Sequence, residues 1–238
     1  RHRDRTGISF EKVMVFPQGR YSTGALRSLR RHGYLAALTT EVCPTDVRGS
    51  ALTLEDVFSP AVQRASGLPL LTRCKPSQPH QLAIALFLDK PAYLVLHHED
   101  FRDGFRPLEQ AVQALRKAEP GLTWPALTCS LRRYHQSKWT DKSETHVRFL
   151  THEFDYENRR SEAVLTRFTR PEPEPECIRA VEINGSDTPF QISNGWLSLE
   201  RELQPGERVR VRVREAVRPV AGQRSEERRV GKECRSRW

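Results

Sequence analysis

The sequence predicts an α/β protein: a parallel sheet, open or closed into a barrel, followed by a small all-β sandwich-like domain. Three observations carry this. Between about residues 12 and 135, short apolar runs alternate with stretches of helical periodicity, the pattern of strands joined by crossover helices. From about residue 144 to 218 the apolar period shortens to two, as in half-buried strands. The pairs Asn184-Gly185 and Pro205-Gly206 punctuate that second region, and Asn-Gly is a strong hairpin signal.

Each element follows from its residues. VMVF (13–16) is a buried-strand run ended by Pro17 and Gly19. Ser22 or Thr23 caps a helix with Ala25, Leu26 and Leu29 on one face, stopped by Gly33. Arg27, Arg30 and Arg31 form the solvated face of that helix. YLAAL (34–38) is a second buried strand. Residues 52–79 are rich in loop formers, with a short helix at 60–65; a longer helix spans 80–88. AYLVLHH (92–98) is the clearest strand of this half. Pro107 opens a helix with a Leu108, Val112, Leu115 stripe. GLTW (121–124) is a short strand, and Pro125 starts a helix bearing Leu127 and Leu131.

In the second half, Val147, Phe149 and Thr151 alternate with Arg148, Leu150 and His152, and AVLTRFT (163–169) follows a polar turn. The Pro/Glu-alternating residues 170–176 predict an extended, exposed connection. IRAVEI (178–183), WLSLEREL and RVRVRVR are strands; in the last, Val209, Val211 and Val213 face inward and the arginines face water. That arginine row reads as a basic ligand stripe or, more simply, as a solvated face that discourages edge pairing.

The 238 residues carry 39 basic and 30 acidic side chains, net +9. Residues 224–238, RSEERRVGKECRSRW, resemble the translation of a short-read sequencing adapter and are set aside from fold reasoning. Without them the chain has 33 basic and 27 acidic residues, +6. Arginines interspersed with acids and apolar residues do not make the one-sided footprint of a nucleic-acid binder. No run approaches the ~20 apolar residues of a membrane span. Cys43, Cys74, Cys129 and Cys177 form no C-x-x-C pair, which argues against a zinc ribbon or redox motif. The absence of an initiator Met before Arg1 predicts a piece of a longer gene product.

Val15-Phe16-Pro17-Gln18-Gly19-Arg20-Tyr21-Ser22, then a helix, then Gly33-Tyr34, resembles the polysaccharide deacetylase family. More broadly it resembles the glycoside hydrolase/deacetylase barrel superfamily, whose members carry an R-x-P-Y/F-G-like turn, a helix and a G-Y/F strand opening. Leu94-Val95-Leu96-His97-His98 is similar to the family's late strand, which ends L-x-L-x-H and brings a histidine to the active-site mouth. The likeness covers roughly residues 12–135. It implies a partial (β/α) barrel over 1–140; the period-two region is expected to form a β-sandwich-like domain over 141–220, and 221–238 are expected to be a disordered artefactual tail. It also implies hydrolysis of acetyl groups on a polysaccharide or oligosaccharide. In such enzymes a divalent metal, usually zinc, held by one Asp and two His, activates water. The metal motif has no counterpart among the eight histidines here. It precedes the matched strands in the family, so a cofactor is expected only in a full-length parent and this chain is expected to be inactive. Val15 stands where the family has Arg, and Gln18 where it has an aromatic, as in a divergent or inactive member.

The resemblance carries over one catalytic residue, His98, as the acid, with His97 as its alternate. The cluster His97-His98-Glu99-Asp100 ends a strand, where barrel chemistry occurs; the plainer reading is a hydrogen-bonded loop cap. Arg20 and Tyr21 lie at the same mouth by topology as sugar contacts or, equally, as a surface turn. Asp100 and Trp124 complete the substrate-binding set, Trp124 as a stacking platform or a rim aromatic. His146 and His152 read as two exposed strand histidines. A non-catalytic carbohydrate-binding or structural protein is one alternative function. A glycoside hydrolase is another, with Asp56, Glu99 and Asp100 as candidate carboxylates that no sequence spacing matches across a cleft.

Overall fold

A computed structural model describes residues 5–8, 10–47, 53–63, 66–102, 104–140 and 143–216; the adapter-like tail lies outside them. It contains helices and three sheets, with strands prevailing in the second half.

The first half is built on three parallel strands: β1 (Val13–Val15), β2 (Ala36–Thr39) and β3 (Leu70–Thr72). They lie side by side in chain order, Val13 opposite Ala36 and Ala37 opposite Leu70. A parallel bridge from Cys74 to Leu94 begins a fourth position. These strands do not close into a barrel among the described residues. Helix Thr23–Arg31 connects β1 to β2, and helix Pro79–Phe87 precedes the bridged stretch. Strand β2 is buried on both faces. Ala37 packs with Phe16, Tyr21, Leu26, Leu68 and Leu70 on one side. Ala36 and Leu38 pack with Leu71, Leu131 and Leu150 on the other. Parallel strands covered on both faces read as continuous apolar runs, which is why YLAAL was legible. The helices Arg106–Ala118 and Leu127–Arg133 also form, each with one residue of its predicted stripe fully buried, Leu115 and Leu131.

Several expectations for this half are corrected. Val15 is 46% exposed, so β1 is half-open rather than buried. AYLVLHH contributes only the bridge at Leu94 and turns at once into a 3-10 segment, His98–Phe101. GLTW forms no strand. The short helix of the loop-rich region lies at Leu54–Phe58, and residues 60–63 form no helix, with Val62 bridging Leu70. Strand β3 was hidden in that same region, because three residues are too few to show a period.

The second half packs two sheets face to face. One has the order β10-β11-β7-β5-β4, the other β6-β12-β8-β9. Their ranges are β4 His135–Trp139, β5 Glu144–Phe149, β6 Glu153–Glu157, β7 Val164–Pro171, β8 Ile178–Ile183, β9 Ser186–Asp187, β10 Gln191–Ser193, β11 Trp196–Leu203 and β12 Arg208–Glu215. The core between the sheets is the period-two set: Val147, Phe149, Phe154, Phe168, Leu197, Leu199 and Val209, Val211, Val213. Burying each such side chain contributes about 1.5–3 kcal/mol. Asn184 and Gly185, both at positive φ, close the two-residue β8–β9 hairpin. His146 and His152 do not share a strand face: β5 stops at Phe149, and His152 sits in the turn before β6.

Three arginine expectations are overturned. β12 is an interior strand between β6 and β8, not an edge. Its outward arginines meet acids across the ladder: Arg210 to Asp155 at 2.6 and 3.1 Å, Arg214 to Glu182 at 2.7 and 3.1 Å, and Arg208 to Glu157 at 3.2 Å. Arg30 is not solvated but 5% exposed. Pro173, Pro175 and Glu176 are exposed as expected, yet Arg170 and Glu172 of the same stretch are 1% and 0% exposed. Arg30 donates through Nη2 to Glu172 (2.8 Å), through Nε to Glu215 (2.6 Å) and through Nη1 to the Ser66 carbonyl (2.7 Å). Arg170 Nη2 donates to the other Glu172 oxygen at 3.2 Å. This buried network locks the first helix onto the sandwich.

Candidate functional site

The parallel strands run in one direction, so the loops after each of them gather along a single sheet edge. Ligands of open α/β sheets bind at that carboxyl edge. After β1 come Arg20 and Tyr21, after β2 Glu41 and Cys43, after β3 Arg73 and Cys74, and after the bridged stretch His97–Asp100.

The first loop is held in place by backbone chemistry. Residues Pro17–Gly19 make a 3-10 turn in which Gln18 and Gly19 both have positive φ. A Cβ on Gly19 would stand 2.5 Å from Thr40 Oγ1, so only glycine lets the β1 and β2 loops meet. Thr39 Oγ1 donates to the Gly19 carbonyl (3.1 Å) and the Thr45 amide to the Tyr21 carbonyl (2.9 Å). The next helix is capped twice: Ser22 Oγ accepts from the Ala25 amide (3.1 Å), and the Asp46 carboxylate accepts from the Thr23 amide (2.9 Å). The hydrogen bond from the Thr23 backbone holds the Asp46 carboxyl below its usual range.

Arg20 projects into solvent. Tyr21 turns inward, 5% exposed, its ring stacked on Phe16 at 4.9 Å between centroids. Its hydroxyl is buried without a hydrogen-bond partner among the described residues. Burial, with Cys43 and Glu41 nearby, pushes the phenol well above its usual pKa. Arg73 donates through Nη2 to the Phe16 carbonyl (3.4 Å), and its buried Nε is likewise unpartnered. Most buried polar groups in native proteins are hydrogen-bonded, so two orphaned ones at one sheet edge require an explanation.

The His97–Asp100 cluster adopts the loop-cap arrangement. The His97 amide donates to Asp100 Oδ2 (2.6 Å), and the Asp100 amide donates to the His97 carbonyl (2.9 Å). The His98 side chain is 92% exposed, 3.9 Å from Glu99. Trp124 is exposed at 45% in an irregular segment between two helices, not at a strand end. Asp56 accepts from the Thr53 amide and hydroxyl (both 2.9 Å), a local turn.

The donor set does not suit the zinc implied by the resemblance. Among the described residues no three His, Cys, Asp or Glu side chains converge. His146 leans on Glu144 at 3.0 Å. His152 is held near neutrality, pushed down to about 4 by burial and then by Arg170.

A cleft of about 1250 Å³ lies in the sandwich, and no sequence pattern suggested it. Edge strand β4 pairs Thr145 with Trp139, Val147 with Ser137 and Phe149 with His135. Directly paired residues share a face, and those three β5 residues are buried at 2%, 0% and 0%. Trp139 therefore belongs by register to the inner face of the sandwich, yet at the end of edge strand β4 it is 54% exposed. Arg160 lies over its ring at 4.0 Å. Asn158, buried, donates to the Glu162, Leu203 and Gln204 carbonyls and fixes the turn that carries Arg159 and Arg160. No helix is long and apolar enough to cross a membrane among the described residues. Comparison with protein-family models, with curated proteins and with solved structures finds no match to the chain.

Proposed function

We propose that the chain is a carbohydrate-handling protein of polysaccharide-deacetylase type. Its parallel strands are an arc of a (β/α) barrel, and it holds an acetylated oligosaccharide at their carboxyl edge. The observation that carries this is the pair of buried, unpartnered groups there, Tyr21 Oη and Arg73 Nε. A saccharide hydroxyl or acetyl carbonyl is a suitable partner for a phenol or for a guanidinium. The strand order, stepping one place per βα unit, also favours the reading, because a singly wound barrel is built that way. His98 stands at the same edge as the acid that the family resemblance supplies. Binding is the form proposed for the present chain, with Asp100 engaged with the His97 amide.

The test is calorimetric titration with acetylated chito-oligosaccharides against Tyr21→Phe and Arg20→Ala. A hydrogen bond from Tyr21 to the ligand is worth about 0.5–1.5 kcal/mol, so Tyr21→Phe should weaken binding roughly 2- to 12-fold. If the phenol is only an orphaned core group, Tyr21→Phe raises stability and leaves affinity unchanged, which refutes the site. Failure of every acetylated saccharide to bind refutes the function.

A further inference from the structure

We infer that Asn194-Gly195, the turn between β10 and β11, is a site of spontaneous covalent modification. Its side-chain amide cyclises onto the backbone and opens to isoaspartate, while the matching turn Asn184-Gly185 is protected. Neither turn belongs to the proposed saccharide site, and the modification goes beyond that function.

The two turns form a matched pair. Each is the two-residue loop of a hairpin, with Ile183 paired to Ser186 across one and Ser193 paired to Trp196 across the other. Both asparagines have left-handed backbones, φ 53 at Asn184 and 50 at Asn194, and the glycines follow at φ 85 and 74, the turn that Asn-Gly favours. All four residues are exposed. Dipeptide, backbone and exposure are therefore shared, and the side chains differ. Asn184 is held at both ends of its carboxamide: Oδ1 accepts from the Arg210 amide (2.8 Å), and Nδ2 donates to the Arg208 carbonyl (3.4 Å). The cause is topological, because β8 lies beside β12 and its turn reaches that strand's backbone. At the other turn the neighbouring chain engages the glycine instead, the Glu172 amide donating to the Gly195 carbonyl (2.7 Å). The Asn194 carboxamide makes no hydrogen bond among the described residues.

In the reaction the Gly195 peptide nitrogen gives its proton to base and attacks Cγ of Asn194. The N–Cγ bond forms as the Cγ–Nδ2 bond breaks, ammonia leaves carrying a proton from solvent, and a succinimide ring remains. Water opens the ring at either carbonyl, giving aspartate or, with the chain rerouted through Cγ, isoaspartate. Water is the only co-reactant. Glycine favours the attack because no Cβ shields its nitrogen. Ring closure requires the carboxamide to swing towards that nitrogen. Asn184 must first release two hydrogen bonds, which together slow it roughly fivefold or more; Asn194 releases none. The product at Asn194 also reaches the joint between the two halves. Glu172, whose amide holds the Gly195 carbonyl, carries the carboxylate shared by Arg30 and Arg170. Isoaspartate adds a backbone carbon and a free carboxylate to the turn, which displaces that carbonyl and weakens the joint.

The experiment uses the full chain. Wild type, Asn194→Gly and Asn184→Gly are held in mildly alkaline buffer, native and in concentrated urea. Glycine accepts the positive φ of both positions, and circular dichroism confirms that the variants are folded. Peptide mapping measures isoaspartate at each turn over time. In the native protein Asn194 should convert at least about fivefold faster than Asn184, and in urea the two rates should converge. The Tm of the native protein should fall in step with its isoaspartate content. Asn194→Gly should abolish that fall, and Asn184→Gly should leave it in place. No isoaspartate at Asn194, equal native rates, or faster conversion of Asn184 each overturns the inference. So does a rate ratio that persists in urea, which would assign the contrast to flanking sequence rather than to the anchored carboxamide. A Tm indifferent to conversion overturns the link to the joint. Saccharide binding plays no part in any of these readouts, so failure of the proposed function leaves them unchanged.

Discussion

Glu172→Gln removes one negative charge from the centre of the joint between the parallel sheet and the sandwich. Glu172 is fully buried and accepts from Arg30 Nη2 (2.8 Å), Arg170 Nη2 (3.2 Å) and the Glu174 amide (3.3 Å). With the carboxylate gone, Arg30 keeps Glu215 at 2.6 Å. Arg170 keeps no carboxylate in contact, and its Nε and Nη1 already lack partners among the described residues. Burial pushes the Arg170 pKa down, offset by Glu172. For Arg30 burial works in the same direction, but Glu172 and Glu215 outweigh it and raise the pKa. Glu172 thus compensates the burial of both guanidinium charges. Removing one partner from such a buried network costs about 3–5 kcal/mol. For a chain of this size that corresponds to a fall in Tm of roughly 6–20 °C. Urea and thermal unfolding, followed by circular dichroism, measure it, with Arg208→Gln on the exposed ladder as a control expected to stay within about 0.5 kcal/mol. A loss below about 1 kcal/mol for Glu172→Gln would refute the claim that this network holds the two halves together.

Further outcomes follow from the same joint. Gly67 has φ +68, and an added Cβ would lie 2.0 Å from Arg30 Nη1; Gly67→Ala should cost about 2–4 kcal/mol. A double-mutant cycle with Glu172→Gln should show the two effects to be less than additive, since both disturb one arginine. His152 is faced by Arg170, Lys12 and Arg30, with Glu153 opposing them, and burial above all pushes its pKa from 6.5 to about 4. The folded protein therefore binds fewer protons than the unfolded chain between those values, and stability falls as the pH drops through that window, levelling off below about 4. The His152 share of that loss is about 2 kcal/mol between about pH 7 and 5. His152→Gln should remove this component from the pH dependence of the urea midpoint, and parallel curves for the two proteins would disprove it.

The sandwich was legible because its signal is local. Val209, Val211 and Val213 declare a face by alternation, and Asn184-Gly185 specifies a two-residue turn whatever surrounds it. Strand β2 was legible because it is apolar on both sides. What escaped depends on contacts between distant segments. The stretch Arg170-Pro171-Glu172-Pro173 reads as solvated until Arg30, some 140 residues away in sequence, supplies the opposite charge that lets Glu172 be buried. AYLVLHH has the composition of a strand, but only Leu94 finds a neighbour. For the site, sequence reasoning assigned Arg20, Tyr21, His97, His98 and Asp100 to one mouth by strand direction. It did not foresee Arg73, whose loop follows a strand too short to recognise, nor the inward turn of Tyr21. The cleft beside Trp139 is lined by residues far apart in the chain, from Arg133 to Arg212, a gathering that no window of sequence records.

The most direct test of the proposed function is where an acetylated chito-oligosaccharide lands. In backbone amide NMR of the full chain, titration should shift the signals of Arg20, Tyr21, Arg73 and the His97–His98 turn together, with those of β4 and β12 unmoved. Shifts confined to the Trp139 cleft, or no saturable shift at the parallel-sheet edge, would contradict the account.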